Sequence, residues 1–202
     1  ARGYGARTER TFSDPRSRIH IEDAKSFFSV HNAAYDIIVS EPSNPWVSGV
    51  ASLFSDEFYQ RAARHLKPGG VFAQWLQIYE IDLPLVASVV KAMGRHFTDY
   101  AVYATDNMDL VFIARADGIL PAPDMNVLNQ PALLRELTHV GIRTDRDLAL
   151  HMLGDRKMLE PLFDGITIPV NSDYFPILDL NAARTRYLRA NARELISLRG
   201  GP

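Results

Sequence analysis

Ile37, Ile38 and Val39 form a β-branched run inside Tyr35-Asp36-Ile37-Ile38-Val39-Ser40 that has neither a helical period nor a strict in-out alternation. Such a run suits a strand covered on both faces, and strands of that kind belong to sheets with helices packed on them. From Arg18 to about Arg115, short β-rich runs alternate with helical ones, the pattern of an α/β layered fold. Arg18-Ile19-His20-Ile21 predicts a short strand, after which Asp23 opens a helical piece carrying Phe27 and Phe28. Ser55 is placed as an N-cap, with Asp56 and Glu57 at the positive end of the helix dipole and Phe58, Tyr59, Ala62, Ala63 and Leu66 at helical spacing. Lys67-Pro68-Gly69-Gly70 stops that helix, and a strand over 71–76 follows. Leu85, Val86, Val89, Val90 and Met93 make the apolar face of a helix on the sheet. Thr105-Asp106-Asn107 turns an antiparallel hairpin between 100–103 and 110–113.

Beyond Arg115 the texture changes. Asp117-Gly118 and the Pro121/Pro123 pair read as a linker, so the sheet domain is expected over 1–116 and a smaller, mainly helical extension over 117–202. One helix starts at Pro131 and stops at Gly141, a second runs from its Thr144 cap to Gly154, and an Arg-rich helix is expected over 182–198. The 202 residues, 47% of them hydrophobic, suffice for one large domain or one domain with an appendage. The chain has no cysteine, which excludes disulfides, thiolate metal sites and a cysteine nucleophile and permits a reducing, cytoplasmic setting. No stretch approaches the roughly 18 apolar residues of a membrane span. The net charge of −2 is unevenly spread, with +3 over residues 1–20, +4 over 181–202 and −9 between them. Basic ends on an acidic body lack the aromatic-studded basic stripe of a nucleic-acid binder, so no nucleic-acid partner is expected.

Chemistry is expected where polar residues leave the buried strand, because ligands of open α/β sheets bind beyond the carboxyl ends of the strands. Ser40-Glu41-Pro42-Ser43-Asn44-Pro45-Trp46 sits there, stiffened by two prolines that bias the residues before them to extended geometry. Glu41 is a carboxylate placed to take a proton from an attacking amine or to bind a cation, or else the solvated residue of a rigid turn. Asp23, at the end of the strand expected over 18–21, is an acceptor for an amino group on a bound base or an N-cap of the helix that follows. Gln74 ends the next strand. Histidines 20, 31, 65, 96, 139 and 151 have no metal-ligand spacing, so no metal is expected. Arg2-Gly3-Tyr4-Gly5 has no strand before it and is not read as a phosphate loop.

Four blocks in order resemble one family. Asp14-Pro15-Arg16 through Ile19-His20-Ile21-Glu22-Asp23-Ala24, then the stretch from Tyr35 to Pro45, then Ser52-Leu53-Phe54-Ser55-Asp56-Glu57-Phe58-Tyr59, and finally Leu66-Lys67-Pro68-Gly69-Gly70 are similar to the spermidine synthases, the polyamine aminopropyltransferases. The wording Ser-Glu-Pro-Ser-Asn-Pro-Trp resembles bacterial spermidine synthase-like proteins in which the domain is attached to a membrane-transporter-like region. The resemblance implies a Rossmann-like fold of the class I S-adenosylmethionine-dependent methyltransferase type, here without its first two strands. It also implies decarboxylated S-adenosylmethionine as co-substrate and a polyamine acceptor, and the exposed sheet edges left without those strands favour a homodimer. By position, Asp23 takes the adenine amino group, with Ala24 and Pro42 also on the nucleoside side. Glu41 falls on the aspartate that deprotonates the amine, and Asn44 on a second aspartate near the diamine, with Gln74 on the substrate side. Glu for Asp moves the charge by about one methylene, and Asn for Asp removes one. The family's glycine-rich loop and ribose-binding acid fall before Ala1, so the chain is expected to be a piece of a larger protein, inactive as it stands. Methyl transfer from S-adenosylmethionine and a non-catalytic dimerisation module remain open alternatives.

Overall fold

The computed structural model describes residues 6–199, so Arg2-Gly3-Tyr4-Gly5 lies outside the described residues. Among the described residues, five strands form one mixed sheet in the order β1-β2-β4-β3-β5. Strand β1 (Tyr35–Ser40) runs parallel to β2 (Leu66–Gln77), with Ile38 opposite Phe72 and Ser40 opposite Gln74. The crossover between them carries a 3-10 turn (Val50–Phe54) and helix α3 (Asp56–Arg64), which Ser55 caps through its hydroxyl on the Phe58 amide. Helix α4 (Leu83–Gly94), capped by Asp82, follows, and β3 (Asp99–Ala104) and β4 (Asp109–Arg115) form the expected hairpin. Two short helices precede β1, α1 (Ala6–Ser13) and α2 (Ala24–Val30).

The core lies where α3 and α4 cover the middle of the sheet. Tyr59 from α3 and Phe97 after α4 meet Phe72 of β2 as a mutual aromatic cluster, with ring centroids 5.9 Å apart for Tyr59–Phe72 and 5.0 Å for Phe72–Phe97. Tyr59, Phe72 and Phe97 are all fully buried, as are Leu76, Val86, Met93, Leu110 and Phe112. This is the close packing that a layered α/β core requires.

The structure corrects four expectations. Residues 18–21 form no strand, because no described strand lies beside them to supply a hydrogen-bond ladder, and Ile21 is 97% exposed. Lys67-Pro68-Gly69-Gly70 lies inside β2 rather than before it. Tyr35 pairs with Leu66 and Ile37 already with Val71, so the four residues bulge out of the ladder. The bulge needs glycine, since Gly69 has φ +77° and a Cβ on Gly70 would lie 2.9 Å from the Lys67 carbonyl.

The helix from Thr144 stops at His151 as α6 (Asp145–His151), and Met152–Asp155 form a fifth strand, β5, antiparallel to β3. Four residues with a glycine in them carry too short a pattern to read as a strand, and only the free edge of β3 reveals it. The glycine is needed for contact: a Cβ on Gly154 would sit 2.8 Å from the Met158 sulfur. Lastly, the Arg-rich helix is in two pieces, α8 (Ile177–Tyr187) and a 3-10 segment (Arg193–Leu198). Arg189, at φ +50°, ends α8 in the left-handed conformation that closes many helices. Earlier in the chain, α5 (Pro131–His139) and α7 (Arg156–Asp164) complete the α-helices among the described residues. No helix of the described residues is long and apolar enough to cross a membrane.

Candidate active site

The carboxyl ends of β1 and β2 lie side by side, and the polar residues that leave them gather in one corner. Ser40 and Gln74 face each other in register, and the Gln74 amide donates to the Ser40 hydroxyl at 3.2 Å. Gln74 is fully buried and its Oε1 has no hydrogen-bond partner, so an acceptor is left unfilled beneath the loop that follows β1. Leaving such a group unpaired costs on the order of 1–3 kcal/mol, a cost more often met at functional sites than in plain cores.

In the proline-stiffened loop, Pro45 is buried and Val47 donates to the Asn44 carbonyl at 2.9 Å, a tight turn that anchors its far end. Asn44 donates through its amide to the Tyr79 hydroxyl at 2.8 Å. Trp46 stacks edge-on against Tyr79 with 6.0 Å between ring centres, and the Arg186 guanidinium of α8 lies 5.0 Å over the Trp46 ring. Arg186 also pairs with Glu80 at 3.5 Å, so α8 clamps the mouth of the corner. Glu41 stands apart from this network. It is exposed and has no hydrogen bond or ion pair among the described residues, a free carboxylate at the end of a sheet strand.

Asp23 sits on the neighbouring element. Its Oδ1 accepts from the Ser26 amide at 2.8 Å, which makes it the N-cap of α2, and that hydrogen bond above all holds its carboxyl below the usual carboxylate range. Ala24 starts the helix, and Lys25 reaches Asp173 at 2.5 Å. Asp173 belongs to the loop 171–176, whose Asn171 is buried and bonded to the Ala51 and Phe54 carbonyls and to the Leu178 amide. The C-terminal part of the chain thus reaches α2 through this loop and the β1 corner through Arg186. Asn44 lies in the loop past the end of β1, whereas Gln74, expected to end its strand, lies inside β2, which runs on to Gln77; Pro42 lies between Glu41 and Asn44, and no hydrogen bond or ion pair joins Asp23 to that corner among the described residues.

Comparison with known proteins fixes the kinship. The family model for the spermine/spermidine synthase domain matches residues 2–108, more than half of the chain. The chain belongs to the spermine/spermidine synthase family. Among curated members it is similar to the polyamine aminopropyltransferase of Sodalis glossinidius, 33% identical over 92 residues that make up 46% of this chain and 32% of that protein. It is also similar to the one from Synechococcus sp. strain JA-2-3B'a(2-13), 32% identical over 127 residues, 59% of this chain and 41% of that protein. The chain therefore spans about a third to two fifths of the length of these relatives. A probable spermidine synthase from Corynebacterium glutamicum ATCC 13032 superposes with a TM-score of 0.55 at 20% identity, covering 83% of this chain and 60% of that one. The fold is accordingly the Rossmann-like α/β arrangement of class I methyltransferases as spermidine synthases carry it.

The matched stretch contains Asp23, Glu41, Asn44, Gln74 and Tyr79 and stops short of β4. Tyr79, Glu80 and Arg186 escaped the sequence reading. The rule that selected 41–46, polar residues just past a strand end, applies equally to Tyr79 and Glu80 after β2. Arg186 has no such signal, since only the folded chain brings it over Trp46, 140 positions away.

Proposed function

We propose that this chain forms part of an aminopropyltransferase, in which an amine acceptor attacks decarboxylated S-adenosylmethionine at the β1/β2 corner. The acceptor nitrogen attacks the methylene carbon next to the sulfonium, the C–S bond breaks with its electron pair staying on sulfur, and methylthioadenosine leaves. The proton lost by the amine goes to the Glu41 carboxylate. The observation that carries this reading is Glu41 itself, a carboxylate with no partner among the described residues at the end of β1.

Asp23 fits the nucleoside: its exposed carboxylate can accept from an exocyclic amine while one oxygen caps α2. Ala24 and Pro42 adjoin it and Glu41 in sequence and complete that side. The unfilled Oε1 of Gln74 suits an ammonium donor, and Asn44, fixed by Tyr79, offers a neutral amide rather than a second carboxylate. A polyamine acceptor is therefore held through hydrogen bonds more than through ion pairs on this wall. The reading extends to action in the cytoplasm. It also includes association of two copies along the open edge of β1, or coverage of that edge by an upstream, transporter-like part of a longer polypeptide.

The test is methylthioadenosine release from decarboxylated S-adenosylmethionine with monoamines, diamines and longer polyamines. Glu41→Gln is expected to lower the rate by about 10²–10⁴-fold with no change in melting temperature. Methyl transfer from S-adenosylmethionine in place of aminopropyl transfer would replace this reading with the methyltransferase one. Concentration-dependent self-association without uptake of either nucleoside would replace it with the interaction module.

A further inference from the structure

We propose that His20, Glu22 and His31 form a site for a divalent transition-metal ion of the zinc class, separate from the β1/β2 corner and independent of the function proposed above. In the segment before α2, His20 and Glu22 lie two residues apart and the chain bends at Glu22, which brings their side chains together. His31 caps the other end of the seven-residue helix α2 and returns to meet them. One ligand atom from each of the three lies within 4.8 Å of the others. Glu22 Oε1 stands 3.7 Å from His20 Nδ1 and 3.7 Å from His31 Nε2. That is too long for hydrogen bonds, and Glu22 has none among the described residues. It is close to the spacing of about 3.3 Å that ligands adopt around a tetrahedral ion bound at roughly 2.0–2.1 Å. A contraction of a few tenths of an ångström brings Glu22 to that spacing from each imidazole, and the two imidazole nitrogens, which lie within 4.8 Å of one another, close the rest by side-chain rotation.

The two imidazoles are also held in place. Phe27 packs against both, with ring centres 5.0 Å from His20 and 4.3 Å from His31, and so sets the orientation of each ring as a positioning residue. The side chains are 48% exposed for His20, 44% for His31 and 35% for Glu22, which leaves room for water at the remaining coordination positions. Two imidazoles and one carboxylate select zinc, cobalt, nickel or copper over magnesium and calcium, which prefer oxygen ligands alone. The sequence hid the site because its ligands are spaced as a pair two residues apart plus the far end of a helix, unlike the two histidines one helical turn apart of a helical site. A bound ion would tie the ladderless segment over 17–22 to the end of α2, the helix that Asp23 begins.

Titration of Zn2+ into tag-free protein by calorimetry tests this. The expected result is one equivalent bound, with affinity reduced at least about tenfold in His31→Ala and in His20→Ala, since even outer-shell partners cost about that much when removed. His139→Ala, a surface histidine outside the cluster, is expected to bind as the parent does. Absence of one-equivalent uptake, or uptake that survives His31→Ala or His20→Ala within tenfold, overturns the proposal. Circular dichroism of each variant confirms that the fold is kept, so a loss of binding reports the ligand itself.

Discussion

The two halves of the sheet are built differently. Around β2, β4 and β3, helices α3 and α4 seal an interior in which Tyr59, Phe72, Phe97 and Phe112 are almost wholly withdrawn from water. Around β1, the preceding segment and α2, the packing is thin: α2 buries no residue fully, and Val39 in the middle of β1 is 70% exposed. Yet Asp23 and Glu41 belong to the thin half, while Gln74 and Tyr79, on and just past β2, face it from the packed one. The packed half supplies a rigid wall, and the thin half presents groups that must stay reachable by a ligand.

The largest effect that separates the halves is the cost of removing apolar bulk. Phe72→Ala should destabilise the protein by about 3–5 kcal/mol, because its ring is locked between Tyr59 and Phe97 and the cavity cannot close. Val39→Ala on the neighbouring strand should cost about 0.5 kcal/mol or less, since its side chain faces solvent. Urea melts of both variants measure the contrast. Comparable losses would mean that the β1 face is covered in solution, and the two halves would then not differ as described.

That same contrast explains what could be read in advance. Strands β3 and β4 and helices α3 and α4 announce themselves through their own periodicity, because each buries a face that sequence composition must serve, whereas β1 is marked by its β-branched run alone and is not covered on both faces as that run suggests, since Ile37 and Val39 face solvent. The segment over 18–21 carries the same β-rich signal and fails to form a strand, since pairing depends on a neighbour and not on propensity. Strand β5 is the reverse case, a weak four-residue signal made a strand by the free edge of β3. In the candidate site, Glu41 and Asn44 were legible because a strand end and two prolines place them, and Asp23 because it stands where a helix starts. The clamp of Arg186 on Trp46 and the reach of Asp173 to Lys25 depend on how distant segments fold back, which no local pattern encodes.

A smaller effect separates the two roles of Asp23. Asp23→Ala should lower stability by about 1 kcal/mol through loss of the α2 cap. Because the Ser26 amide holds the folded carboxyl below its ordinary 3.8, the charge-dependent part of this contribution is present above that value and is lost as pH falls through the folded pKa. The gap between parent and variant should therefore be largest near pH 7 and narrow, without closing, at strongly acid pH, where the protonated carboxyl still offers its carbonyl oxygen. Asp23→Asn retains a capping oxygen and should recover most of the stability. Any loss of nucleoside binding that persists in Asp23→Asn then reports the carboxylate as a ligand group and not as a cap.

The smallest expected effect lies inside the packed half, where one polar pair departs from its neighbours. Gln77 is buried with neither amide atom paired, and Asp109, its register partner across β2 and β4, has a buried Oδ1 with no partner. Residues directly opposite on antiparallel strands project to the same face with Cβ atoms about 4.5–5.5 Å apart, so the two unsatisfied groups are neighbours. Burial pushes the Asp109 carboxyl up, and the nearby Asp106 charge adds to the rise, while a hydrogen bond from Trp75 offsets part of it. A raised carboxyl pKa in the folded state costs nothing below the unfolded value and weakens the fold once pH passes the folded one. Asp109→Asn removes that cost and brings a donor toward the Gln77 oxygen, so it should raise the melting temperature at pH 7 by about 1–2 °C. At pH 3, where the carboxyl is protonated in both states, the charge-related part of the gain should vanish. An equal gain at both pH values would mean that the new donor alone accounts for it, whereas a loss at pH 7 would mean that the Asp109 carboxylate is paired in solution and that the packed half has no such defect.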